Sequence, residues 1–151
     1  MVAGIEEVSV SRQTDQNGSD VLLAVHDGYL KRFGYLHERE VELNASGTKI
    51  KGRDAIKAPE PDGKSKLVTV EAVSRFHVHP LIELMQTDDE TVSMRAPDGT
   101  CWVFSAPGKS VTIGQDIFMA DVSGIRSSKQ IEIAFAVPET REIRWIIERK
   151  Q

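Results

Sequence analysis

The sequence has one cysteine, few aromatic residues and no long apolar run. Cys101 alone excludes an internal disulfide, so the fold must be held together by its core. Its place in the strand-like run Cys101–Phe104 favours a small buried apolar residue over a nucleophile. No apolar run approaches the length of a membrane span, so no membrane partner is expected. The N-terminus lacks the basic and apolar regions of a signal peptide, and the compartment is left open.

The chain also lacks an excess of positive charge. Its formal net charge is -4, which argues against nucleic acid or an anionic membrane surface as a partner. A length of 151 residues with 40% hydrophobic content predicts one globular domain, residues 1–151, that is large enough to bury a core.

Helical periodicity is almost absent, and only Leu81–Met85 could hold a turn of helix. Apolar alternation and short apolar runs, separated by turn signals, predict strands along most of the chain. These segments are Ile5–Val10, Val21–Val25, Tyr35–Leu43, Lys49–Ile56, Leu67–His79, Thr91–Ala96, Cys101–Ser105, Val111–Ile113, Ile117–Met119, Ser127–Val137 and Ile143–Ile147. Val21–Val25 is continuous enough to predict a strand buried on both faces, and Pro59–Lys66 predicts a mobile polar loop. The predicted fold class is all-β, an antiparallel β-sandwich with little or no helix.

The four histidines lie in two polar stretches, residues 26–40 and 75–80. His77 and His79 are two apart on a predicted strand, so they share a face with Cα atoms roughly 6–7 Å apart. Such a pair binds a metal if a third ligand comes from a neighbouring strand. No spacing identifies that ligand, so a polar strand face that includes Arg75 is the favoured interpretation.

Two further groups in the first stretch invite a functional interpretation. His37 and Arg39 share a strand face with apolar residues, and a buried arginine needs a partner. A carboxylate opposite Arg39 is favoured over a cleft at that end of the strand. Tyr29, Lys31 and Arg32 combine aromatic and basic groups, which suits an anionic sugar through stacking and carboxylate contacts. An ordinary solvated loop with one anchoring tyrosine is the alternative.

The polar stretches and the segments after them follow an order that is typical of one protein family. The matching segments are His26-Asp27-Gly28-Tyr29, Arg32-Phe33-Gly34, His37-Glu38-Arg39, Gly47, Gly52, Asp54, Arg75-Phe76-His77-Val78-His79-Pro80, Gly99, Trp102-Val103-Phe104, Arg126 to Ile131 and Ile143-Arg144-Trp145. From about His26 to Trp145, the chain resembles the C-terminal part of bacterial heparinase II/III-like proteins, a family of polysaccharide lyases.

The resemblance implies a larger lyase with an N-terminal α/α toroid, followed by an antiparallel β-sandwich region that closes one side of the substrate cleft. Such lyases cleave uronic-acid polysaccharides by β-elimination, in which one group abstracts the proton at C5 and another protonates the leaving oxygen. The family's catalytic tyrosine and its metal ligands lie before the region that is matched here. No catalytic residue, metal or other cofactor is therefore expected within this chain, and Pro80 after His79 departs from the family's metal-binding pattern.

We therefore expect a non-catalytic C-terminal domain of a lyase, inactive alone. Its expected partners are the N-terminal catalytic domain of the same parent chain and an acidic polysaccharide. The candidate residues for the substrate cleft or the domain interface are His26, Tyr29, Arg32, His37, Arg75, His77 and His79. The alternatives are an independent carbohydrate-binding module, a small metal-binding domain that uses His77 and His79, and a structural linker. The 6% aromatic content argues against the module, which would need a groove with exposed aromatic rings.

Overall fold

The structure is a computed structural model, and it describes residues 4–58, 69–122 and 124–150. The predicted mobile loop Pro59–Lys66 and the first residues of the predicted strand Leu67–His79 lie outside these ranges. Within them the strands are β1 Val8–Thr14, β2 Asp20–His26, β3 Leu36–Leu43, β4 Lys49–Lys57, β5 Val70–Val78, β6 Glu83–Gln86, β7 Thr91–Arg95, β8 Cys101–Ser105, β9 Val111–Asp121, β10 Gly124–Val137 and β11 Glu142–Arg149. The helix described in this part of the chain is α1, Leu30–Phe33.

The strands form two sheets, and the predicted all-β antiparallel fold is confirmed. One sheet has eight strands in the order β1-β2-β3-β4-β11-β8-β7-β6, and the other has three in the order β5-β10-β9. No helix among the described residues is long and apolar enough to cross a membrane.

The chain divides into two compact units. Unit 1 is Met1–Ala72 with Phe135–Arg144, and unit 2 is Val73–Ala134 with Trp145–Gln151. In unit 1, β2 pairs antiparallel with both β1 and β3, and β3 pairs antiparallel with β4. The predicted turn at residues 44–47 joins β3 to β4, where the Asn44 side chain accepts hydrogen bonds from the backbone N–H groups of Thr48 and Lys49. The prediction of a single domain stays a prediction.

The core of unit 2 contains three aromatic rings. Phe76, on β5 of the three-stranded sheet, packs against Phe104 and Trp145, which belong to the eight-stranded sheet. The ring centroids lie 4.8 Å and 4.9 Å from that of Phe76. Side chains of the two sheets therefore meet face to face within this unit, as the predicted sandwich requires.

Helix occurs where a loop was predicted, and the segment predicted to allow a helix is not helical. Leu81–Met85 contains a turn and the start of β6, whereas α1 lies between β2 and β3. Gly34 ends α1 in the left-handed region at φ 77°, and its N–H donates to the Leu30 carbonyl. Glycine adopts this conformation without the steric penalty that other residues pay, so the local sequence can close one helical turn.

Two strand predictions were also wrong in extent. Val111–Ile113 and Ile117–Met119 belong to one continuous strand, β9. The three residues between them also pair with β10, with Gly114 opposite Gln130. The prediction that Val21–Val25 is buried on both faces fails as well. None of its residues is buried, and Leu22 is exposed, because alternate side chains of β2 point to two half-open faces.

Candidate functional site

A chain of polar side chains crosses three neighbouring strands of unit 1. The strand register places His26 opposite His37 and Arg39 opposite Asp54. Directly opposed residues project from the same face of a sheet, so the four side chains lie on one face. We call His26, His37, Asp54 and Arg39 the histidine–aspartate chain.

Hydrogen-bond geometry assigns the protons along this chain. The backbone N–H of Gly28 donates to His26 Nδ1 at 3.2 Å, so that nitrogen carries no proton. His26 Nε2 then holds the proton and donates to His37 Nδ1 at 3.0 Å. His37 Nε2 in turn donates to Asp54 Oδ1 at 2.9 Å. Both imidazoles are thereby assigned as neutral Nε2–H tautomers.

Gly28 permits the first of these hydrogen bonds. A Cβ atom at this position would lie 2.9 Å from Ile5 Cγ1 and 3.1 Å from His26 Nδ1. The first distance is too short for a real contact and the second is tight, so a larger residue would force Ile5, His26 or the loop to shift. The Asp27-Gly28 turn signal in the sequence therefore marks the residue that fixes the tautomer of His26.

The chain ends on a buried carboxylate. Asp54 is 2% exposed. It accepts two hydrogen bonds from Arg39, from Nε to Oδ1 at 2.6 Å and from Nη2 to Oδ2 at 3.0 Å. Burial by itself raises the pKa of Asp54, but the hydrogen bonds from His37 and Arg39 and the charge of Arg39 lower it well below its ordinary value. The carboxylate therefore stays ionised. Hydrogen bonds through the two imidazoles link it to the connection between β2 and β3.

All four ring nitrogens of His26 and His37 are engaged in this arrangement. Neither imidazole has a nitrogen left to coordinate a metal ion or to accept a proton from a ligand unless a hydrogen bond breaks. The chemistry that the geometry supports is therefore positioning, because the chain holds the connection between β2 and β3 in one conformation.

The side chains that this support holds are those of the connection itself. Tyr29 is exposed, and its ring centroid lies 5.3 Å from that of His26, 6.3 Å from that of His37 and 6.4 Å from that of Phe33. The guanidinium of Arg32, also exposed, lies 5.1 Å from the centre of the Phe33 ring. An aromatic face and a basic group are thus presented to solvent beside the histidine–aspartate chain.

The stability of unit 1 is expected to fall between pH 7.5 and pH 5.5. Burial, together with the neighbouring His37, lowers the pKa of His26, and Asp27 opposes this shift. The native state therefore binds fewer protons than the unfolded state, and stability is lost as the pH falls through the ordinary histidine pKa of about 6.5. Asp54 acts in the same direction only near and below its unfolded pKa of about 3.9. Urea unfolding at several pH values measures the effect.

The matched variant for this test is His26→Asn. The asparagine side chain can still accept the Gly28 N–H as an Asx turn, but it does not titrate in this range. Its free energy of unfolding should vary less between pH 7.5 and pH 5.5 than that of the unsubstituted chain. Equal pH dependence in the two proteins would contradict the lowered pKa of His26 in the folded chain.

The opposite face of β3 and β4 has an ion-pair network of its own. The carboxylate of Glu38 is buried and accepts hydrogen bonds from Arg53 at 2.6 Å and from Lys57 at 2.5 Å. Burial raises the pKa of Glu38, but these hydrogen bonds and charges lower it below its ordinary value. Arg53 also reaches Glu142 of β11 at 3.3 Å. The network is internally paired, which indicates a structural role.

In unit 2, the predicted residues Arg75, His77 and His79 follow one another along β5 and the residue after it. His77 Nδ1 lies 2.6 Å from Asp116 Oδ2, and this hydrogen bond lowers the pKa of Asp116. Arg75 Nε lies 3.4 Å from Glu132 Oε1. All three predicted residues are exposed, so they form a polar strand face with carboxylates beside it.

The metal site considered for His77 and His79 finds no support in their surroundings. His79 Nδ1 accepts the backbone N–H of Leu81 at 3.2 Å, and its ring lies 4.8 Å from that of Phe118. Across residues 4–58, 69–122 and 124–150, no group of three or more His, Cys, Asp or Glu side chains is placed to hold a metal ion. The structure therefore identifies no third ligand for His77 and His79 among these residues.

The seven predicted site residues thus fall into two groups. Unit 1 contains His26, Tyr29, Arg32 and His37, and unit 2 contains Arg75, His77 and His79. The carboxylates that orient them, Asp54 and Asp116, were not predicted as site residues. The favoured partner of Arg39, a carboxylate on the opposing strand, is Asp54.

Comparisons with known proteins agree with this architecture. A family model described as "Heparinase II/III-like, C-terminal" matches residues 3–146. A solved heparinase III gene product matches with a TM-score of 0.71 and 14% identity, over 97% of this chain and 22% of that chain. The same gene product with methylated lysines gives 0.70 and 13%, over 97% and 22%. A crystal structure of heparinase III gives 0.65 and 12%, over 93% and 21%.

No functionally curated protein matches the chain. The chain spans about a fifth of the length of the solved heparinases, since 22% and 21% of those chains are covered. At these identities the structural likeness establishes a shared fold. The family model covers nearly the whole sequence, and the chain therefore belongs to the heparinase II/III-like family, of which it represents the C-terminal domain.

Proposed function

We propose that the chain is an accessory β-domain of a heparinase II/III-like polysaccharide lyase, which packs on the catalytic part and is not catalytic by itself. The main support is the combination of a C-terminal family match over residues 3–146 with coverage of only 22% of a solved heparinase III. The resemblance implies that the whole lyase cleaves uronic-acid polysaccharides by β-elimination. The groups that move protons would then belong to the larger part of the protein.

A semi-apolar face of unit 1 is suited to meeting a neighbouring domain. Val8 is opposite His26 in the strand register, so it lies on the face of the histidine–aspartate chain. Val8 and Val10 are both 62% exposed, and Leu22 and Leu43 on the same face are exposed as well. Mixed apolar and polar surface of this kind is typical of interfaces between domains of one chain.

Tyr29 and Arg32 would then lie at the rim of the cleft. An exposed tyrosine ring can stack on a sugar ring, and a guanidinium can bind a uronate carboxylate through two hydrogen bonds. The histidine–aspartate chain would hold Tyr29 in place, so that little conformational freedom is lost when a sugar binds. His26 and His37 would support this contact without touching the sugar as acid or base.

An absorbance assay for the unsaturated uronate product tests the proposal. Heparin, heparan sulfate and alginate are each incubated with the 151-residue chain and, separately, with the longer gene product in which the proposal places this domain. Product is expected from at least one polysaccharide with the longer protein and from none with the chain alone. Turnover by the chain alone, or stoichiometric metal that disappears in His77→Ala, would overturn the proposal.

Matched variants of the longer protein test the rim contact. Arg32→Gln is expected to raise KM for the polysaccharide by up to about tenfold with kcat unchanged, because it removes binding that is equal in the ground and transition states. Lys31→Gln removes the same charge from the neighbouring position on α1, where the lysine is paired with Glu6. An equal effect of both variants would point to overall charge and not to a contact at Arg32.

A further inference from the structure

One end of the β9–β10 hairpin in unit 2 presents apolar side chains to solvent. We call this end, residues 117–122 and 124–127, the hairpin arm. Ile117, Met119 and Ile125 are 58%, 70% and 71% exposed, and Val122 is fully exposed. Nearer the other end of the same two strands, Val111, Ile131 and Ile133 are buried. The arm therefore carries an exposed apolar stripe, which the opposed polar residues Gln115 and Lys129 separate from the core of unit 2.

The arm has regular strand structure. The antiparallel register continues along it, with Ile117 opposite Ser127 and Phe118 opposite Arg126, and one register shift lies between Gly124 and Arg126. Phe118 also packs against His79, with the ring centroids 4.8 Å apart. The arm is thus ordered before it meets any partner, which lowers the entropic cost of docking.

Four large apolar side chains in eleven consecutive positions are more than scattered surface exposure explains. Contiguous exposed apolar surface typically marks an interaction site. The arm offers Arg126 as a basic group near its apolar stripe, which is too little charge to suit an acidic polysaccharide or nucleic acid. A protein surface with an apolar groove is the chemistry that complements it.

We infer that the hairpin arm docks into an apolar surface of the part of the longer protein that lies outside this chain. About four fifths of each solved heparinase lies outside the region matched here, since the match covers 22% and 21% of those chains. A parent protein of similar size would therefore have a large amount of chain to cover the arm. This inference rests on the proposed function, and it adds a second docking element to the semi-apolar face of unit 1.

The test compares one double variant in two proteins. Ile117→Ser with Met119→Ser is introduced into the 151-residue chain and into the longer gene product, and thermal unfolding of all four proteins is recorded. The isolated chain should keep its Tm to within about 2 °C, because both side chains are mostly exposed. In the longer protein, the Tm of the transition that includes this domain should fall by ~4 °C or more. Gln115→Ser, an exposed polar position on the same side of β9, is the control and should change neither Tm.

Each other outcome has a separate meaning. If the domain unfolds at the same temperature in the longer protein as in isolation, the parts do not dock, and both the proposed function and this inference fail. If docking raises that temperature but the double variant does not lower it, only the inference about the arm fails. A lower Tm of the double variant in the isolated chain would overturn the inference, because the arm would then pack within the domain itself. Self-association of the chain, measured by sedimentation and abolished by the double variant, would also overturn it, because a second copy would then cover the arm.

Discussion

Replacing Asp54 by asparagine is expected to lower the free energy of unfolding by about 3 kcal/mol, because it leaves the charge of Arg39 without its carboxylate. Asparagine has nearly the same volume, so cavity formation contributes little. The NH2 group of its amide must face Arg39 or His37. Each of these partners is already a donor, so two donors would face each other. The loss should extend along the histidine–aspartate chain, since His37 would no longer have an ionised acceptor. The effect is at the lower end for a broken buried ion pair because Arg39 is partly exposed.

Urea unfolding at pH 7.5 measures this loss, and Asp20→Asn is the matched control. Asp20 lies on β2, which β3 separates from the strand of Asp54, and it pairs with Arg12, but this pair is open to solvent. Exposed ion pairs contribute little to stability, so the control should unfold at the same urea concentration as the unsubstituted chain. Similar midpoints for all three proteins would contradict a stabilising role for Asp54.

The pairing of Arg39 with Asp54 could have been located more closely from the sequence than it was. The turn at residues 44–47 and the strand after it were both predicted, and this turn places Leu43 opposite Ile50. Moving four residues away from the turn along each strand from that pair brings Arg39 opposite Asp54. A shift of one residue would have moved Asp54 to the other face, so the identity of the carboxylate depends on a register that the pattern alone leaves undetermined.

Other parts of the site depend on contacts that strand patterns do not encode. The donor and acceptor roles along the histidine–aspartate chain are set by one backbone N–H, that of Gly28. The partner of His77 is Asp116, which is 39 positions away and reaches it through the sheet order β5-β10-β9. The alternation of polar and apolar residues predicted which face of β5 is polar, because that signal is local. It could not predict which strand supplies the carboxylate.

The same distinction applies to the fold. Alternating patterns predicted an all-β chain, and most strands were located within a few residues. The exceptions include α1 and β6, which are too short to show a period, and the continuous β9, in which Gly114, Gln115 and Asp116 interrupt the run of apolar residues. Pattern analysis therefore predicts the elements that bury a stripe of side chains better than those that connect or extend beyond the core.

Replacing Phe104 by alanine is expected to cost about 3–5 kcal/mol, which makes it the most destabilising single change considered for unit 2. Phe104 is fully buried, 4.8 Å from the Phe76 ring and 6.2 Å from the stacked Trp145 ring, measured between centroids. Alanine would remove buried apolar surface and leave a cavity between strands of the two sheets, which the surrounding rings can fill only in part.

Urea unfolding of Phe104→Ala and Phe104→Leu separates the two contributions. Leucine keeps most of the buried apolar volume but loses both ring contacts, so its loss should be smaller than that of alanine, at about 1–2 kcal/mol. Met119→Ala on the hairpin arm is the exposed control, and it should cost less than ~0.5 kcal/mol in the isolated chain. A loss from Phe104→Ala no larger than that of the control would mean that the three rings do not form the core of unit 2. Phe76 lies between Arg75 and His77 on β5 and points to the opposite face, so its packing would then no longer hold their polar face in place.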